Sequence, residues 1–587
     1  MRTPAHGGGP PTGHGPARRR TQLRPDTDVT AGRGPCATRA SPFPVRPVIA
    51  RPRPSGVLQA ALPGRRTLGQ ALSVAADKVA GMARIAVIGA GMGAMAAAAR
   101  LAVAGHRVAV YERTATYGGA LRRFERDGFS FDTGPGLLPL PAVWRDLFVK
   151  TGKEPLEDCV ELVQVDPSAR HVFADGTEVA LPNASRAGVL AALDASLGPD
   201  AGRRWGDFLV RARETWDRTR RPLLEEPLWP NWEVLAEREP YPAVPYKRLL
   251  RTRRAGTLAE VGAWELRDTR LAALLESHAL AHGLDPRTAP ANAAVLPYME
   301  YAFGMWYVRG GGLRELARAV YERCLARRVE FRFGAEVTRI VAKDGRVAGV
   351  ELAEGGVAEA EFVVAGVAPG MLDRLCAGST VRDDGEVPAQ RGGASRLTVL
   401  LALRGGRPQG AAHRTVVHAE DRETELGGLF GAAPAMAARP TVTVMRPDDP
   451  GLVPDPDHEA VTLTAVVPAP GGESDRAAGE VFARHAEHVI GVAERAVPDL
   501  RDRLLWHEVR TPADVASATG VSDGAVPVPA LAGAGGRLLH PANTTRVEGL
   551  FTVGGWSHPG GGLPHAGMSG ALVAGLVVEG PEFRGSQ

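Results

Sequence analysis

Residues 84–94 read Arg84-Ile85-Ala86-Val87-Ile88-Gly89-Ala90-Gly91-Met92-Gly93-Ala94. The apolar run Ile85–Ile88 has the length and β-character of a buried strand, and the glycines behind it mark a tight turn. An alanine-rich stretch follows and is closed by Gly105, which predicts a helix to about Ala104. Arg107–Tyr111 then returns to strand character. A strand, a crossover helix and a second strand within about 30 residues require parallel pairing, hence an α/β fold. Gly89-x-Gly91-x-x-Ala94 lies where the turn opens the helix. Unpaired backbone N–H groups and the helix dipole favour a phosphate there. Gly89 permits the turn, Gly91 lets the phosphate approach, and Ala94 keeps helix and sheet close. Glu112 ends the second strand, where a carboxylate can accept hydrogen bonds from a ribose. A glycine-rich βα turn without a ligand is the alternative; the acid in register favours dinucleotide binding.

The rest of the chain narrows the class. It has 587 residues, 44% hydrophobic and 23% charged, which suits a large folded core in two or more domains. No run approaches the ~18 consecutive apolar residues of a membrane span. The four cysteines are scattered without a CxxC, and no metal-ligand cluster or Ser-His-Asp grouping stands out. The net charge of +4 is unevenly spread. Residues 1–82 hold thirteen basic and three acidic residues, whereas the remainder holds 57 basic and 63 acidic. The body is therefore mildly acidic, which argues against a nucleic-acid partner. The Arg/Pro/Gly-rich segment 1–82 reads as a disordered tail, with Met82 as the true start. Arg65-Arg66 is a weak match to an export signal, interrupted by Asp77 and Lys78.

Glu112 is followed after five residues by Gly118-Gly119, and later by Asp132-Thr133-Gly134-Pro135. A second glycine pair beyond the ribose acid suits an extended FAD lying against backbone, and no second phosphate loop for a nicotinamide nucleotide is evident. Gly310-Gly311-Gly312 opens a predicted helix to about Leu325, with strands near 330–333, 337–342, 347–352 and 361–364. The segment 550–575 reads LFTVGGWSHPGGGLPHAGMSGALVAG, a strand, a glycine-rich turn and a small-residue helix.

These blocks together resemble the phytoene desaturase (carotenoid dehydrogenase) family of FAD-dependent, amine-oxidase-like proteins. The resemblance rests on the 84–94 fingerprint, the Glu112-x5-Gly118-Gly119 spacing, FDTGP at 131–135, the 310–341 segment and the HPGGG loop. It implies an FAD-binding Rossmann-like domain split along the chain into 83–145, 300–375 and 535–580. A split α+β substrate domain would be formed by 146–299 and 376–534. It also implies cofactor contacts from Gly89, Gly91, Met92, Gly93, Ala94, Glu112, Arg113, Gly118, Gly119, Gly134, Val337, Gly554, Gly555, Gly561, Gly562 and Leu563. The implied activity is oxidation of an apolar isoprenoid or carotenoid-like substrate, with hydride passing to flavin N5 and oxygen or a quinone as final acceptor. An amine-oxidase-like activity and a redox-neutral, FAD-dependent carotene isomerase are the alternatives.

The chain departs from the family where Ala120 follows the glycine pair, with Arg122 and Arg123 as candidate substitutes, and where Trp556 and His565 replace glycines. Gly560-Gly561-Gly562 is expected to leave room for the flavin ring and a flat polyene. No catalytic residue is assigned; His558 is the one candidate, either as a proton acceptor or as a loop-shaping hydrogen-bonding group. Segment 229–254 interleaves Trp229, Trp232, Tyr241 and Tyr246 with Lys247, Arg248, Arg251, Arg253 and Arg254. It reads either as a solvated charged segment over a Trp-containing core or as a peripheral membrane contact. The expected location is cytoplasmic, with membrane association as the variant.

Overall fold

A computed structural model describes residues 82–246, 251–376, 394–469 and 475–585. All of them belong to one compact unit, Asp77–Gln587. The tail expectation for 1–82 therefore falls outside the described residues save Met82, as do Lys247–Leu250 of the aromatic and basic segment.

The opening fingerprint forms β1 (Arg84–Ile88), α1 (Met92–Val103) and β2 (Arg107–Glu112). Farther on come α2 (Leu313–Ala326), β3 (Glu330–Phe333), β4 (Phe362–Ala365), β5 (Leu550–Thr552) and α3 (Leu563–Glu579). The strands make one parallel sheet in the order β3-β2-β1-β4-β5. Val87 faces Val110 on one side and Val364 on the other, which explains the unbroken apolar run: a central parallel strand is covered on both faces. One face packs against α1, α2 and α3. The other packs against the antiparallel strands Val337–Lys343, Arg346–Leu352 and Val357–Glu359. From Met92 to Ala99 every residue of α1 is buried, so this helix is not amphipathic. Its alanines serve close approach on several sides.

A second sheet of seven strands takes the order 504–510, 394–404, 458–468, 442–445, 414–417, 169–172, 178–181. Only the pair 414–417 with 169–172 is parallel. One face of this sheet is apolar and covered by the helix Asp475–Ala493. Helices Ala201–Arg220, Thr269–Ala281 and Val295–Phe303 share a separate core that includes Trp216 and Tyr241. No helix of the described residues is long and apolar enough to cross a membrane.

Candidate flavin site

Strands β1, β2, β4 and β5 end at the same edge of the parallel sheet, the usual place for a ligand in such a fold. There Gly89 leaves β1, and α1 starts at Gly91 without a side-chain cap, leaving backbone N–H groups free to meet an anion. The second glycine pair comes to the same place. Gly118 pairs with Gly91, and its N–H donates to the Ala90 carbonyl at 2.8 Å. With φ at +100° and a would-be Cβ 2.5 Å from the Leu121 carbonyl oxygen, position 118 admits only glycine.

Glu112 is 7% exposed and stands beside both loops. Its Oε2 accepts from the Ala90 N–H at 2.8 Å, and its Oε1 accepts from the Thr114 N–H at 2.9 Å and hydroxyl at 2.7 Å. Arg122 donates to the Gly119 carbonyl at 2.9 Å and the Thr114 hydroxyl at 3.1 Å. These acceptors are neutral, and burial lowers its pKa. Arg123 instead bonds Gly311 O and Glu315. Of the two arginines expected to replace the missing basic residue, only Arg122 is held on the glycine loop. Arg113 reaches away to the Ser517 carbonyl. Val337 is buried at the start of its strand opposite Leu352. Gly134 packs on the Ala120 carbonyl.

Several supporting contacts join distant segments, so the sequence gives no sign of their partners. Asp132 accepts from the N–H groups of Leu313 (2.6 Å) and Arg314 (3.1 Å), capping α2 from a distant segment. Burial pushes its carboxyl up to about 7. Arg314 in turn donates to the carbonyls of Tyr117 and Leu121, fixing the second glycine loop. Asp449 holds the 310–312 turn by accepting from the N–H groups of Gly310 and Gly311 and from the Tyr307 hydroxyl.

The loop 553–562 joins β5 to α3 and carries Gly554, Gly555, Gly561 and Gly562, with Leu563 as the first helical residue. Asn543 donates to the carbonyls of Thr552 and His558, and the Ser569 hydroxyl donates to the His558 carbonyl while accepting from the Gly554 N–H. His540 Nε2 lies 2.6 Å from the Val528 carbonyl, which also accepts from the Gly561 N–H at 2.7 Å and so ties that segment to this loop. Three glycines facing open space was the expectation, and the structure differs. A Cβ at Gly561 would lie 2.0 Å from the Pro527 carbonyl oxygen, and one at Gly560 would lie 2.6 Å from the Val528 oxygen. Both glycines are needed because the 527–529 backbone passes against them. Gly562 alone of the three is exposed.

His558 is fully buried. Its Nε2 donates to the Glu226 carbonyl at 2.9 Å, so Nδ1 carries the lone pair and has no hydrogen-bond partner among the described residues. Burial lowers the pKa to about 4. At neutral pH the ring is uncharged and anchors the loop.

These features fit an FAD molecule. Open space lies where Cβ atoms would stand at Gly91 and Gly554, and the buried Glu112 carboxylate and the Arg122 guanidinium flank the paired loops.

A family model described as flavin containing amine oxidoreductase matches residues 95–390. The chain is 28% identical over 500 residues to 4,4'-diapolycopene oxygenase of Methylomonas sp, covering 84% of this chain and 98% of that protein. It is 29% identical over 493 residues to hydroxyneurosporene desaturase of Rhodobacter capsulatus, covering 84% and 96%. It is 28% identical over 519 residues to the zeta-carotene-forming phytoene desaturase of Myxococcus xanthus, covering 84% and 93%. Among solved structures, an oxidoreductase from Methanosarcina mazei gives a TM-score of 0.56 at 16% identity, covering 84% of this chain and 99% of that one. Putrescine oxidase gives 0.53 at 13% identity, covering 85% and 99%. At such identities the likeness concerns the fold alone. The family match spans half of the chain and includes Glu112 and both members of the second glycine pair, and on that ground the chain belongs to the flavin-containing amine oxidoreductases and is an FAD-dependent oxidoreductase.

Proposed function

We propose that the protein removes hydrogen from a carotenoid-like polyene and so introduces a carbon–carbon double bond. The observation that carries this reading is the similarity to carotenoid desaturases and oxygenases, which spans 84% of this chain and 93–98% of theirs. Bound FAD would supply the two-electron acceptor for a substrate C–H bond. The remaining work falls to the chain. Gly89, Gly91, Met92, Gly93 and Ala94 would hold the pyrophosphate with their backbone and the α1 dipole, and Glu112 the ribose. Gly118, Gly119 and Gly134 would lie along the cofactor, with Arg122 adding positive charge. Val337 would meet the adenine. The 554–563 loop, fixed by Asn543, Ser569 and His540, would line the flavin ring, with His558 as its anchor. The split 83–145, 300–375 and 535–580 would form the cofactor-binding part.

A peripheral membrane contact through 229–254 suits an apolar substrate. In the described part of that segment, Tyr246 and Arg251 are exposed on a strand pair, 244–246 with 251–253. Tyr241 contributes nothing there: it is wholly buried and donates to Glu265 at 2.9 Å.

The test is anaerobic bleaching of the bound flavin by a panel of carotenoids, retinoids and amines. Bleaching by a carotenoid alone is expected, and bleaching by amines alone would reject the reading. Consumption of one acceptor molecule per double bond formed separates a desaturase from a redox-neutral isomerase, which consumes none.

A further inference from the structure

The strand Leu504–Arg510 forms one edge of the seven-stranded sheet, and the backbone of its last residue, Arg510, pairs with Thr398. The Arg510 guanidinium is half-buried and makes no hydrogen bond and no ion pair among the described residues. Thr511 then caps the helix Pro512–Thr519. That helix lies against the loop leaving β2. The Ser517 carbonyl accepts from Arg113 Nη2 at 2.6 Å, and a Cβ at Gly520 would lie 3.6 Å from the same nitrogen. The edge of the second sheet therefore comes to the loop that carries Glu112 and the second glycine pair.

That loop holds another guanidinium without a carboxylate. Arg122 donates only to neutral acceptors, the Gly119 carbonyl and the Thr114 hydroxyl. The charged groups acting on it are one carboxylate, Glu112, and three guanidiniums, those of Arg113, Arg314 and Arg510. Arg314 has Asp132 and Glu315 within its own electrostatic reach. Glu112 is turned to Ala90 and Thr114 rather than to any arginine. Arg122 and Arg510 are thus like charges held near each other, both half-buried, with no carboxylate bound to either. Their repulsion is unfavourable at reduced dielectric, and an anion between them turns it into attraction. The location suits one. A Cβ at Gly119 would lie 3.0 Å from Gly91 Cα, whereas a Cβ at Gly91 would meet open space. Arg122, bonded to the Gly119 carbonyl, is therefore close to the uncapped start of α1, whose N–H groups favour an anion.

We propose that Arg510 joins Arg122 in binding the pyrophosphate of FAD, so that the cofactor's anion ties the edge strand 504–510 of the seven-stranded sheet to the second glycine loop. The proposal rests on the reading above that the paired glycine loops hold the pyrophosphate, and not on the identity of the substrate. Arginine suits the task because its planar fork can meet two phosphate oxygens at once.

The test titrates the apoprotein with FAD by fluorescence at fixed ionic strength, and follows the Tm of the apoprotein with inorganic pyrophosphate. Arg510→Met should raise the Kd for FAD by roughly tenfold or more, as expected for a lost charge-assisted hydrogen bond. It should also abolish the rise in Tm that pyrophosphate gives the wild type. Arg510→Lys keeps the charge without the fork and should recover part of both effects. Arg122→Met should behave as Arg510→Met does. Amide exchange over 511–520 should slow when FAD binds the wild type, and slow less in Arg510→Met. If Arg510→Met fails to fold, Arg510→Gln is read in its place. Wild-type binding of FAD and pyrophosphate by the Arg510 variant, beside weak binding of both by Arg122→Met, overturns this proposal and leaves the glycine loops as the phosphate site. A weaker FAD affinity with an intact pyrophosphate response also overturns it, since Arg510 would then act only through packing of its strand. Pyrophosphate that stabilises no more than sodium chloride of equal ionic strength, with a normal FAD Kd in every arginine variant, defeats the placement of the pyrophosphate at the glycine loops, and this proposal with it.

Discussion

A carboxylate offers roughly four acceptor positions, and Glu112 has three of them filled by Ala90 and Thr114. The fourth is the one a ribose hydroxyl would use. One side chain thus shapes the two loops and, in the proposed site, would also meet the ribose, and the two roles can be told apart by substitution. Glu112→Ala would remove the proposed ribose bond and leave the Ala90 and Thr114 N–H groups unpaired. It should weaken FAD binding by roughly 1.5–3 kcal/mol, about 10- to 150-fold in Kd. Glu112→Gln keeps one acceptor oxygen and should fall between. Fluorescence titration of the apoprotein with FAD reads both, and an unchanged Kd for the alanine variant would remove Glu112 from the ribose site. The position of this acid was legible in the sequence because it ends a strand at a fixed distance from the fingerprint. Its partner Thr114 was not, since a threonine two residues past a strand carries no pattern of its own. His558 was legible as a notable residue but open in role. Only the Glu226 carbonyl, 332 residues away in sequence, makes it an anchor.

Among the elements, the crossing of α1 and α3 sets where their two N-termini point. The helices approach so closely that a Cβ at Gly570 would lie 2.7 Å from the Gly93 carbonyl oxygen and from Ala96 Cβ. Likewise a Cβ at Gly93 would lie 2.9 Å from the Ala566 oxygen. Gly570→Val should therefore push the helices apart, with an overpacking penalty of about 1–3 kcal/mol. It should also weaken FAD binding, because both helix starts would move from the proposed cofactor site. Urea unfolding of the holoprotein and FAD titration together test this; full stability with normal affinity would show that the crossing can relax. The elements flanking the motifs were readable from local pattern: α1, α2, β1 to β4 and the strand pair 337–343 with 346–352 lie within a few residues of their expected bounds. What holds them in place was not readable. Asp132 caps α2 across 181 residues, and Asp449 fixes the turn before α2 from 138 residues away. Such long-range bonds leave no periodicity behind.

For the molecule as a whole, the sequence indicated an α/β flavoprotein because its glycine loops are local. The strands of the seven-stranded sheet show in the sequence only as apolar runs such as 397–403 and 460–467, whose alternation is masked where both faces are covered. Burial also depresses the pKa of many histidines across the molecule. Burial lowers His282, His485, His540 and His558 to about 4, lowers His413, His418 and His565 to about 3, and depresses His171 strongly. Each has a folded value below its unfolded one near 6.5, so between the two the unfolded chain binds more protons. Stability is then fully present above about pH 6.5 and is lost as pH falls, by at most about 1.4 kcal/mol per pH unit for each group. Asp132 and Glu239, raised to about 7, act in the opposite sense and offset part of the loss as pH falls from 7 toward 4. Glu265, Glu276 and Glu425 are raised as well, which sets eight histidines against five carboxyls, and with a total stability of about 5–15 kcal/mol the histidines should dominate. The Tm of the holoprotein should be level above pH 6.5 and decline increasingly steeply toward pH 4.5. His485 offers the sharpest check. It is 3% exposed on the helix Asp475–Ala493, and neither ring nitrogen has a hydrogen-bond partner among the described residues. His485→Phe keeps the ring and removes both orphaned nitrogens, so it should raise Tm, and by more at pH 5 than at pH 7.5. An equal shift at both values would mean that His485 does not titrate on unfolding, and a flat wild-type Tm from pH 6.5 to 5 would exclude the histidines as the source of acid sensitivity.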